Sequence, residues 1–283
     1  MLTAPFGATG VSIPLIGQGT WMIEESAAAD RAVEALRTGI DLGLTHIDTA
    51  EMYGSGRAET LVGRAIAGRR DQVFLVSKVL PSNASYAGTL RACEASLRRL
   101  GTDYLDLYLL HWEGRHPIAE TMRALEKLAA DGRIRHLGVS NFDVPQVREA
   151  ERALRHYPMA ANQVLYHLGD RGIERKLLPY CAGRGIAVVG YSPFGSAGGF
   201  PSPRTPGGRV LAAVAERRGL TPRQAVLQFL LRDRNLFVIP KSSHEAHTRE
   251  NAAALDSPLT AEDIAQIDRA FPAPDHDVPL GII

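Results

Sequence analysis

Short apolar runs alternate with longer amphipathic stretches along nearly the whole chain. The apolar runs span four to eight residues and are rich in β-branched and aromatic side chains, which is typical of buried strands. The amphipathic stretches repeat apolar residues at helical spacing, and several end in glycine, as a left-handed helix cap requires. Eight strands are predicted in this way: PLIGQG, THIDT, VFLVSKV, YLDLYLLH, HLGVS, AANQVL, AVVGYS and LFVIPKS.

The eight strand–helix units follow one another without a linker. They favour an α/β protein built as a single (β/α)8 TIM barrel domain over residues 1–283, rather than two Rossmann halves. Near the N-terminus, LTAPFGATGVSIP predicts a β-hairpin that plugs the barrel floor. The stretch SPFGSAGGFPSPRTPGG predicts a mobile loop. Two extra helices are predicted, each opening with a threonine cap: TPRQAVLQFLLRDR before the eighth strand and TAEDIAQIDRAF after the eighth unit.

Charge and composition exclude several kinds of partner. The net charge is +1, and no basic stripe interleaves with aromatic residues as in a nucleic-acid groove. No segment has the order of a secretory signal or the length of a membrane span. Cys93 and Cys181 lie in helix-like patterns without metal-ligand spacing, so we expect buried free thiols. The sequence therefore predicts a cytoplasmic protein without nucleic-acid or membrane partners, and we expect it to be a monomer.

Polar side chains lie at the carboxyl ends of the predicted strands, where TIM barrels carry their active sites. Asp48 and then Tyr53 follow the second strand, Lys78 lies in the third, and His111 ends the fourth. Each alone is weak evidence, because strand-end lysines are more often surface residues and strand-end histidines are more often structural. Four titratable groups on three consecutive junctions, however, can meet in one pocket. The simpler alternative is a structural Asp48–Lys78 ion pair with Tyr53 only packing beside it.

Seven motifs run through the chain in a fixed order: HIDTAEMYG, LVSKV, LYLLHW, HLGVSNF, NQVLYH, YSP and IPKSS. In this order and spacing, from about Leu15 to Phe271, the sequence resembles the aldo-keto reductases. SKVLPSNAS and YHLGDRGIE further resemble bacterial members associated with reduction of methylglyoxal and 2,5-diketogluconate-type carbonyls. The resemblance implies an NADPH-dependent oxidoreductase that reduces aldehydes or activated ketones to alcohols. The family's catalytic tetrad falls on Asp48, Tyr53, Lys78 and His111.

The chemistry of carbonyl reduction suits these four side chains. Hydride addition places negative charge on the carbonyl oxygen, so a donor must hold that charge and supply a proton. Tyr53 is the expected proton donor, and the ammonium of Lys78 is expected to lower the pKa of its phenol. Asp48 is expected to keep Lys78 charged and aimed. His111 is expected to orient the carbonyl or share the proton.

The chain has no G-x-G-x-x-G turn between a strand and a helix, so a Rossmann cofactor site is disfavoured. The family instead lays an extended nicotinamide cofactor across the barrel mouth. Within the matching set, Ser140, Asn141 and Gln163 would grip the carboxamide, and Tyr191 would stack on the nicotinamide. The resemblance implies NADPH contacts at Thr20, Trp21, Asp48, Ser140, Asn141, Gln163, Tyr191, Ser192, Phe194, Lys241, Ser242, Ser243, His247, Glu250 and Asn251.

The choice between NADPH and NADH depends on the segment after the eighth strand. Lys241 precedes a predicted helix N-terminus, which favours an adenosine phosphate and therefore NADPH. His247 stands where the family often has an arginine that pairs with the 2′-phosphate, so use of NADH stays open. The spacing of His244 and His247 in HEAH, without a third ligand nearby, is typical of a polar helix start, and no metal is predicted.

The resemblance also implies a small substrate site. The matching positions for contacts to the substrate are Trp21, Met22, Tyr53, His111 and Trp112. The short tail PDHDVPLGII is expected to cover less of this pocket than a long one, which favours small or variably shaped carbonyls. Two other classes of function are considered: a non-catalytic cofactor-sensing or scaffold barrel, and a phosphate-binding isomerase or lyase barrel. The intact tetrad argues against the former, and the cofactor-gripping side chains make the latter unnecessary.

Overall fold

The computed structural model describes residues 2–25, 29–196, 198–233 and 235–283. Within these ranges, eight parallel strands form one sheet in chain order. Isolated bridges from Ile16 to Val238 and from Gly19 to Lys241 join the first strand region to the last and close the sheet. The predicted TIM barrel is therefore confirmed. Its strands are β3 Gln18–Gly19, β4 His46–Asp48, β5 Phe74–Val79, β6 Leu105–Leu110, β7 Ile134–Ser140, β8 Met159–Leu165, β9 Ala187–Tyr191 and β10 Leu236–Ile239.

The helices surround the barrel close to their predicted positions. The predicted start of the first helix at Ser26, Ala197 in the predicted mobile loop, and Arg234 at the end of TPRQAVLQFLLRDR lie outside the described residues. The bounds are α1 Ala29–Asp41, α2 Arg57–Ile66, α3 Tyr86–Leu100, α4 Ile118–Ala130, α5 Val144–Ala153, α6 Leu177–Arg184, α7 Pro206–Arg217, α8 Pro222–Leu230, α9 Glu245–Ala252 and α10 Ala261–Ala270.

The two helices between β9 and β10 exchange the roles that the sequence predicts. α8, predicted as the extra helix, is buried throughout residues 224–230 and packs on β10 and α9. α7, predicted as the barrel helix, buries one face only and packs on α10. Both stretches are amphipathic, so periodicity does not reveal which one lies against the strands. The extra helices are α7 and α10. The predicted caps are confirmed, since Thr221 and Thr260 accept hydrogen bonds from backbone N–H groups of α8 and α10.

An N-terminal hairpin closes the amino end of the barrel, as predicted. Its strands β1 Thr3–Pro5 and β2 Ser12–Pro14 pair in antiparallel fashion. Between them, the ring of Phe6 is fully buried and lies 5.1 Å from the rings of both Phe74 and Phe237 and 6.3 Å from the ring of His46. His46 and Phe74 start their strands and Phe237 is the second residue of β10, and we call these three residues with Phe6 of the hairpin the barrel floor. Aromatic packing therefore seals the end opposite the strand-end polar residues.

Both cysteines are buried free thiols, as predicted. Burial raises the pKa of Cys93 and of Cys181 to about 12, so neither side chain forms a reactive thiolate near neutral pH. In the described part of the chain, no helix is both long enough and apolar enough to cross a membrane.

Candidate active site

Lys78 and Asp48 form a buried ion pair at the carboxyl end of the barrel, which we call the mouth. The Nζ atom of Lys78 lies 2.7 Å from Oδ2 of Asp48, 2.9 Å from the carbonyl oxygen of Thr49 and 3.2 Å from Oη of Tyr53. In the parallel register Asp48 pairs with Val76, and the side chain two residues later lies on the same face of β5. The strand pairing therefore brings the predicted side chains of Asp48 and Lys78 together.

A tight left-handed turn places Tyr53 above this ion pair. Within the 3-10 segment Tyr53–Gly56, Gly54 and Ser55 have φ of 56° and 57°, and Gly56 has φ of 88°. Such a run favours glycine, because side chains with a Cβ are strained there. A Cβ on Gly54 would also lie 2.4–2.7 Å from side-chain atoms of Glu24. The YGSG sequence therefore lets the chain return closely enough for Tyr53 to reach Lys78.

Burial moves the proton affinity of Tyr53 in the direction opposite to the sequence prediction. The pKa of Tyr53 is raised well above its ordinary value, first by burial and then by the carboxylates of Asp48 and Glu24. The predicted lowering by Lys78 is wrong, because removing water from the phenolate outweighs the attraction of one ammonium. Burial has the opposite effect on the pKa of Lys78, which it lowers although the charge of Asp48 acts to raise it. The phenol therefore keeps its proton, as a proton donor must.

His111 contributes a neutral imidazole next to this phenol. Burial, followed by the charge of Lys78, lowers the pKa of His111 to about 2. Its ring centroid lies 5.7 Å from that of Tyr53 in an edge-on arrangement and 4.8 Å from that of Trp112. A neutral imidazole has one hydrogen-bond donor and one acceptor. The group is therefore suited to hydrogen-bond a carbonyl oxygen rather than to carry a permanent charge.

Gln163 connects the tetrad to the residues predicted to hold the carboxamide. Its Nε2 donates to Oδ1 of Asp48 at 2.7 Å, so both carboxylate oxygens of Asp48 are occupied. The hydroxyl of Ser140 donates to the backbone carbonyl oxygen of Gln163 at 2.9 Å, and that of Thr20 donates to the backbone carbonyl oxygen of Asp48 at 2.8 Å. The bond to Asp48 orients the side-chain amide of Gln163, and the two hydroxyl bonds hold the backbones of Gln163 and Asp48.

Asn141 makes a second connection across the mouth. Its Nδ2 donates to the carbonyl oxygen of His111 at 3.0 Å and to Oγ of Ser140 at 3.2 Å. Its Oδ1 accepts from the hydroxyl of Tyr191 at 2.8 Å. The amide that was predicted to grip a carboxamide therefore already binds protein groups at each of its polar atoms.

These side chains open onto a cavity of about 270 Å³. Of the predicted site residues, twelve line it: Thr20, Trp21, Asp48, Tyr53, His111, Trp112, Ser140, Asn141, Gln163, Tyr191, Ser192 and Lys241. Met22, predicted as a substrate contact, does not. Its backbone has a left-handed φ of 62° and its side chain is exposed. The sequence reasoning missed Gly19, Met52, Ile239, Ile282 and Ile283. Two of these carried a signal, because Met52 lies inside the HIDTAEMYG motif and Ile239 begins the IPKSS motif.

The tail after α10 reaches this cavity, although the sequence predicted weaker coverage. Asp277 pairs with Arg175 at 3.2 Å and also contacts Lys176, which fixes the tail against the segment that follows β8. Beyond this point Ile282 and Ile283 line the cavity. A short tail therefore supplies part of the apolar wall, because it is held close to the barrel.

The remaining predicted cofactor residues lie outside the cavity. Ser243 is buried and its Oγ has no partner in the described part of the chain, whereas Oγ of Ser242 donates to the carbonyl oxygen of His244. The ring of His247 lies 5.6 Å from that of His244. Phe194 follows β9, while Glu250 and Asn251 belong to α9. In the described ranges, no three His, Cys, Asp or Glu side chains form a group that could hold a metal ion.

The profile of the Aldo/keto reductase family matches residues 15–271. The chain belongs to the aldo/keto reductase family. Methylglyoxal reductase YeaE from Escherichia coli strain K12 is 46% identical over 274 residues, 96% of each chain. Glyoxal reductase from Bacillus subtilis strain 168 is 36% identical over 273 residues, 94% of each chain. The solved structure of a Klebsiella pneumoniae aldo-keto reductase in complex with NADPH has 45% identity and a TM-score of 0.92, with both chains fully covered.

Proposed function

We propose that this chain reduces small aldehydes and activated ketones to alcohols with NADPH, and that Tyr53 supplies the proton. Family membership and the reductase activities named for two relatives support the reaction class. The observation that carries the residue assignment is the position of Lys78 Nζ, within hydrogen-bonding distance of both Asp48 and Tyr53. A purely structural ion pair would need no phenol on the same ammonium.

The residues at the mouth fit a nicotinamide cofactor, which supplies the hydride when bound. Gln163 directs its Nε2 to Asp48, which leaves its side-chain oxygen Oε1 for an amide donor. The ring of Tyr191 lines the cavity and offers an apolar face for stacking. Further out, the buried and unpartnered hydroxyl of Ser243 precedes the N-terminus of α9, where a phosphate is favoured. The NADPH bound by the Klebsiella relative supports the same assignment.

Tyr53 is suited to release its proton only when negative charge develops beside it. Burial keeps the phenol protonated in the resting site. As the proton leaves, the ammonium of Lys78, 3.2 Å from Oη, stabilises the phenolate. Asp48 and the carbonyl oxygen of Thr49 hold that ammonium in place. Positioned acids of this kind contribute about 10²–10⁴-fold to a rate.

The cavity favours small carbonyls, and the relatives point to one class of them. His111 and Tyr53 supply hydrogen-bonding groups on one side, and apolar side chains including Trp21, Trp112 and Ile282 form much of the rest. Both relatives are named for reduction of small dicarbonyls, methylglyoxal and glyoxal. We therefore propose short α-dicarbonyls as the preferred substrate class.

The test is a carbonyl panel, with oxidation of NADPH followed by its near-ultraviolet absorbance. Methylglyoxal, glyoxal, a short aliphatic aldehyde and a diaryl ketone sample size and activation. We expect the dicarbonyls to give the highest kcat/KM, and the diaryl ketone to be at least about tenfold slower, because apolar walls reject excess volume. Ile282→Ala should narrow that gap. NADPH binding without consumption by any carbonyl would instead indicate the cofactor-sensing barrel.

Organisation and location extend this proposal. We propose a single-domain monomer that acts in the cytoplasm, which is consistent with two buried free thiols. Sedimentation of the purified chain at micromolar concentration checks the monomer. Fractionation of the source cells checks the location.

A further inference from the structure

Among the described residues, no side chain or backbone group makes a hydrogen bond to the imidazole of His111. Its Nδ1 is buried without a partner there, and its ring packs against Tyr53 and Trp112. The residue follows the last residue of β6, and its backbone N–H donates to the carbonyl oxygen of Val79 at 3.0 Å. Histidines in active sites are commonly oriented through a bond at the second ring nitrogen. Here the position of the imidazole depends on where the backbone of His111 is held.

The side chain of Asn141 binds the backbone carbonyl group of His111. Its Nδ2 donates to the carbonyl oxygen of His111 at 3.0 Å, and both residues are 7% exposed. Asn141 has a left-handed φ of 60°, a conformation that asparagine adopts more readily than most residues. Its own backbone N–H donates to the carbonyl oxygen of Gln163, which fixes it to β8. The side chain of Asn141, the residue after β7, is therefore hydrogen-bonded to the backbone of His111, the residue after β6.

The hydroxyl of Tyr191 determines which way this amide faces. It donates to Oδ1 of Asn141 at 2.8 Å, which leaves Nδ2 directed to His111. Burial raises the pKa of Tyr191, so the hydroxyl stays a donor. An amide oxygen left without a donor at this buried position is unfavourable, so the bond favours one amide orientation. The ring of Tyr191 still lines the cavity, so ring and hydroxyl have separable tasks.

We propose that the hydroxyl of Tyr191 and the amide of Asn141 form a positioning bracket that sets the place of the His111 imidazole. The bracket spans the ends of β6, β7 and β9, and neither polar group needs to touch the carbonyl substrate to act. This proposal rests on the proposed function, because the imidazole matters only if it binds a substrate oxygen.

The variant Tyr191→Phe removes the hydroxyl and keeps the aromatic face. We expect kcat with methylglyoxal to fall about 5- to 50-fold, the range between one lost hydrogen bond and a small misplacement of a catalytic group. The dissociation constant of NADPH, measured by quenching of tryptophan fluorescence, should change less than about threefold, because stacking survives. Tyr166→Phe is the matched control. It removes another buried hydroxyl, bonded to Glu174 away from the cavity, and should leave kcat unchanged.

A double-mutant cycle with His111→Ala separates positioning from other roles. If the hydroxyl acts through the imidazole, Tyr191→Phe should change the residual rate of His111→Ala by no more than about twofold. Additive losses in the double variant, or a rise in the NADPH dissociation constant equal to the loss in kcat, would overturn the bracket. An active wild type with an unchanged Tyr191→Phe would reject the bracket alone. A wild type that reduces no carbonyl would reject the proposed function and the bracket with it.

Discussion

The mouth and the floor of the barrel each bury a histidine, and the two differ in what surrounds them. Burial, followed by the charge of Lys78, lowers the pKa of His111 at the mouth to about 2 and that of His46 at the floor to about 3. His111 lines the cavity beside Tyr53, whereas His46 is enclosed, and neither of its ring nitrogens has a partner within the described ranges. A shifted pKa therefore reports burial, and position at the strand ends decides which group meets a substrate.

The largest effect is expected from breaking the charged centre of the mouth. Lys78→Met should lower kcat at least about 10³-fold, because Tyr53 loses the charge that stabilises its phenolate. It should also lower the free energy of unfolding by about 3–5 kcal/mol, because Asp48 is left buried and unpaired. Steady-state rates and urea denaturation measure the two effects. The double variant Asp48→Asn/Lys78→Met should regain stability without regaining activity. A normal rate per folded molecule in Lys78→Met would make the ion pair structural.

The two histidines give the next comparison. His111→Leu should lower kcat/KM about 10²-fold, because it removes the hydrogen-bonding group beside the phenol. His46→Leu places an apolar side chain among the aromatic rings of the floor and should leave the rate per folded molecule within about twofold. Both variants are assayed with methylglyoxal after the folded fraction is measured by circular dichroism. Equal kinetic losses in the two would contradict the division into a catalytic mouth and a structural floor.

The floor should instead govern part of the stability in acid. The unfolded chain binds a proton at His46 as pH falls through about 6.5, whereas the folded chain resists it until about 3. Because the unfolded state then binds more protons, this group lowers stability as pH falls across that window, by up to about 1.4 kcal/mol per pH unit. His46→Leu should lose stability less steeply than wild type between pH 6.5 and 4.5 in urea denaturation. His276→Leu, an exposed control, should follow wild type. Parallel curves for all three proteins would exclude His46.

The smallest effect concerns cofactor choice. His247 takes a position where the family often has arginine, near the N-terminus of α9 and Lys241. NADPH should bind more tightly than NADH, because Lys241 and the N-terminus of α9 favour an adenosine phosphate. His247→Arg should tighten NADPH binding a few-fold and leave NADH binding within about twofold, because a guanidinium can pair with the 2′-phosphate. Dissociation constants for both cofactors in wild type and variant check this. An unchanged NADPH affinity, or equal tightening of both cofactors, would remove position 247 from the explanation.

The alternation of strands and helices, and the polar residues at strand ends, predicted the barrel and the placement of Asp48, Lys78 and His111 because both follow from local periodicity. Three results depend on tertiary packing and were beyond the sequence. Periodicity did not show that α8 rather than α7 lies on the barrel. Residue types did not reveal that burial raises the pKa of Tyr53 despite the neighbouring ammonium of Lys78. The sequence of the short tail did not reveal that Asp277 would pair with Arg175 and that Ile282 and Ile283 would then line the cavity.

The central claim is that the phenol of Tyr53 supplies the proton for carbonyl reduction. Tyr53→Phe removes only the hydroxyl from a ring that already packs against His111. The direct measurement is kcat/KM for methylglyoxal together with the dissociation constant of NADPH, both from one preparation of Tyr53→Phe and wild type. We expect a loss of at least about 10³-fold in kcat/KM with nearly unchanged NADPH affinity, because the hydroxyl acts on charge that develops in the transition state. If Tyr53→Phe keeps most of the wild-type rate, Tyr53 is not the proton donor.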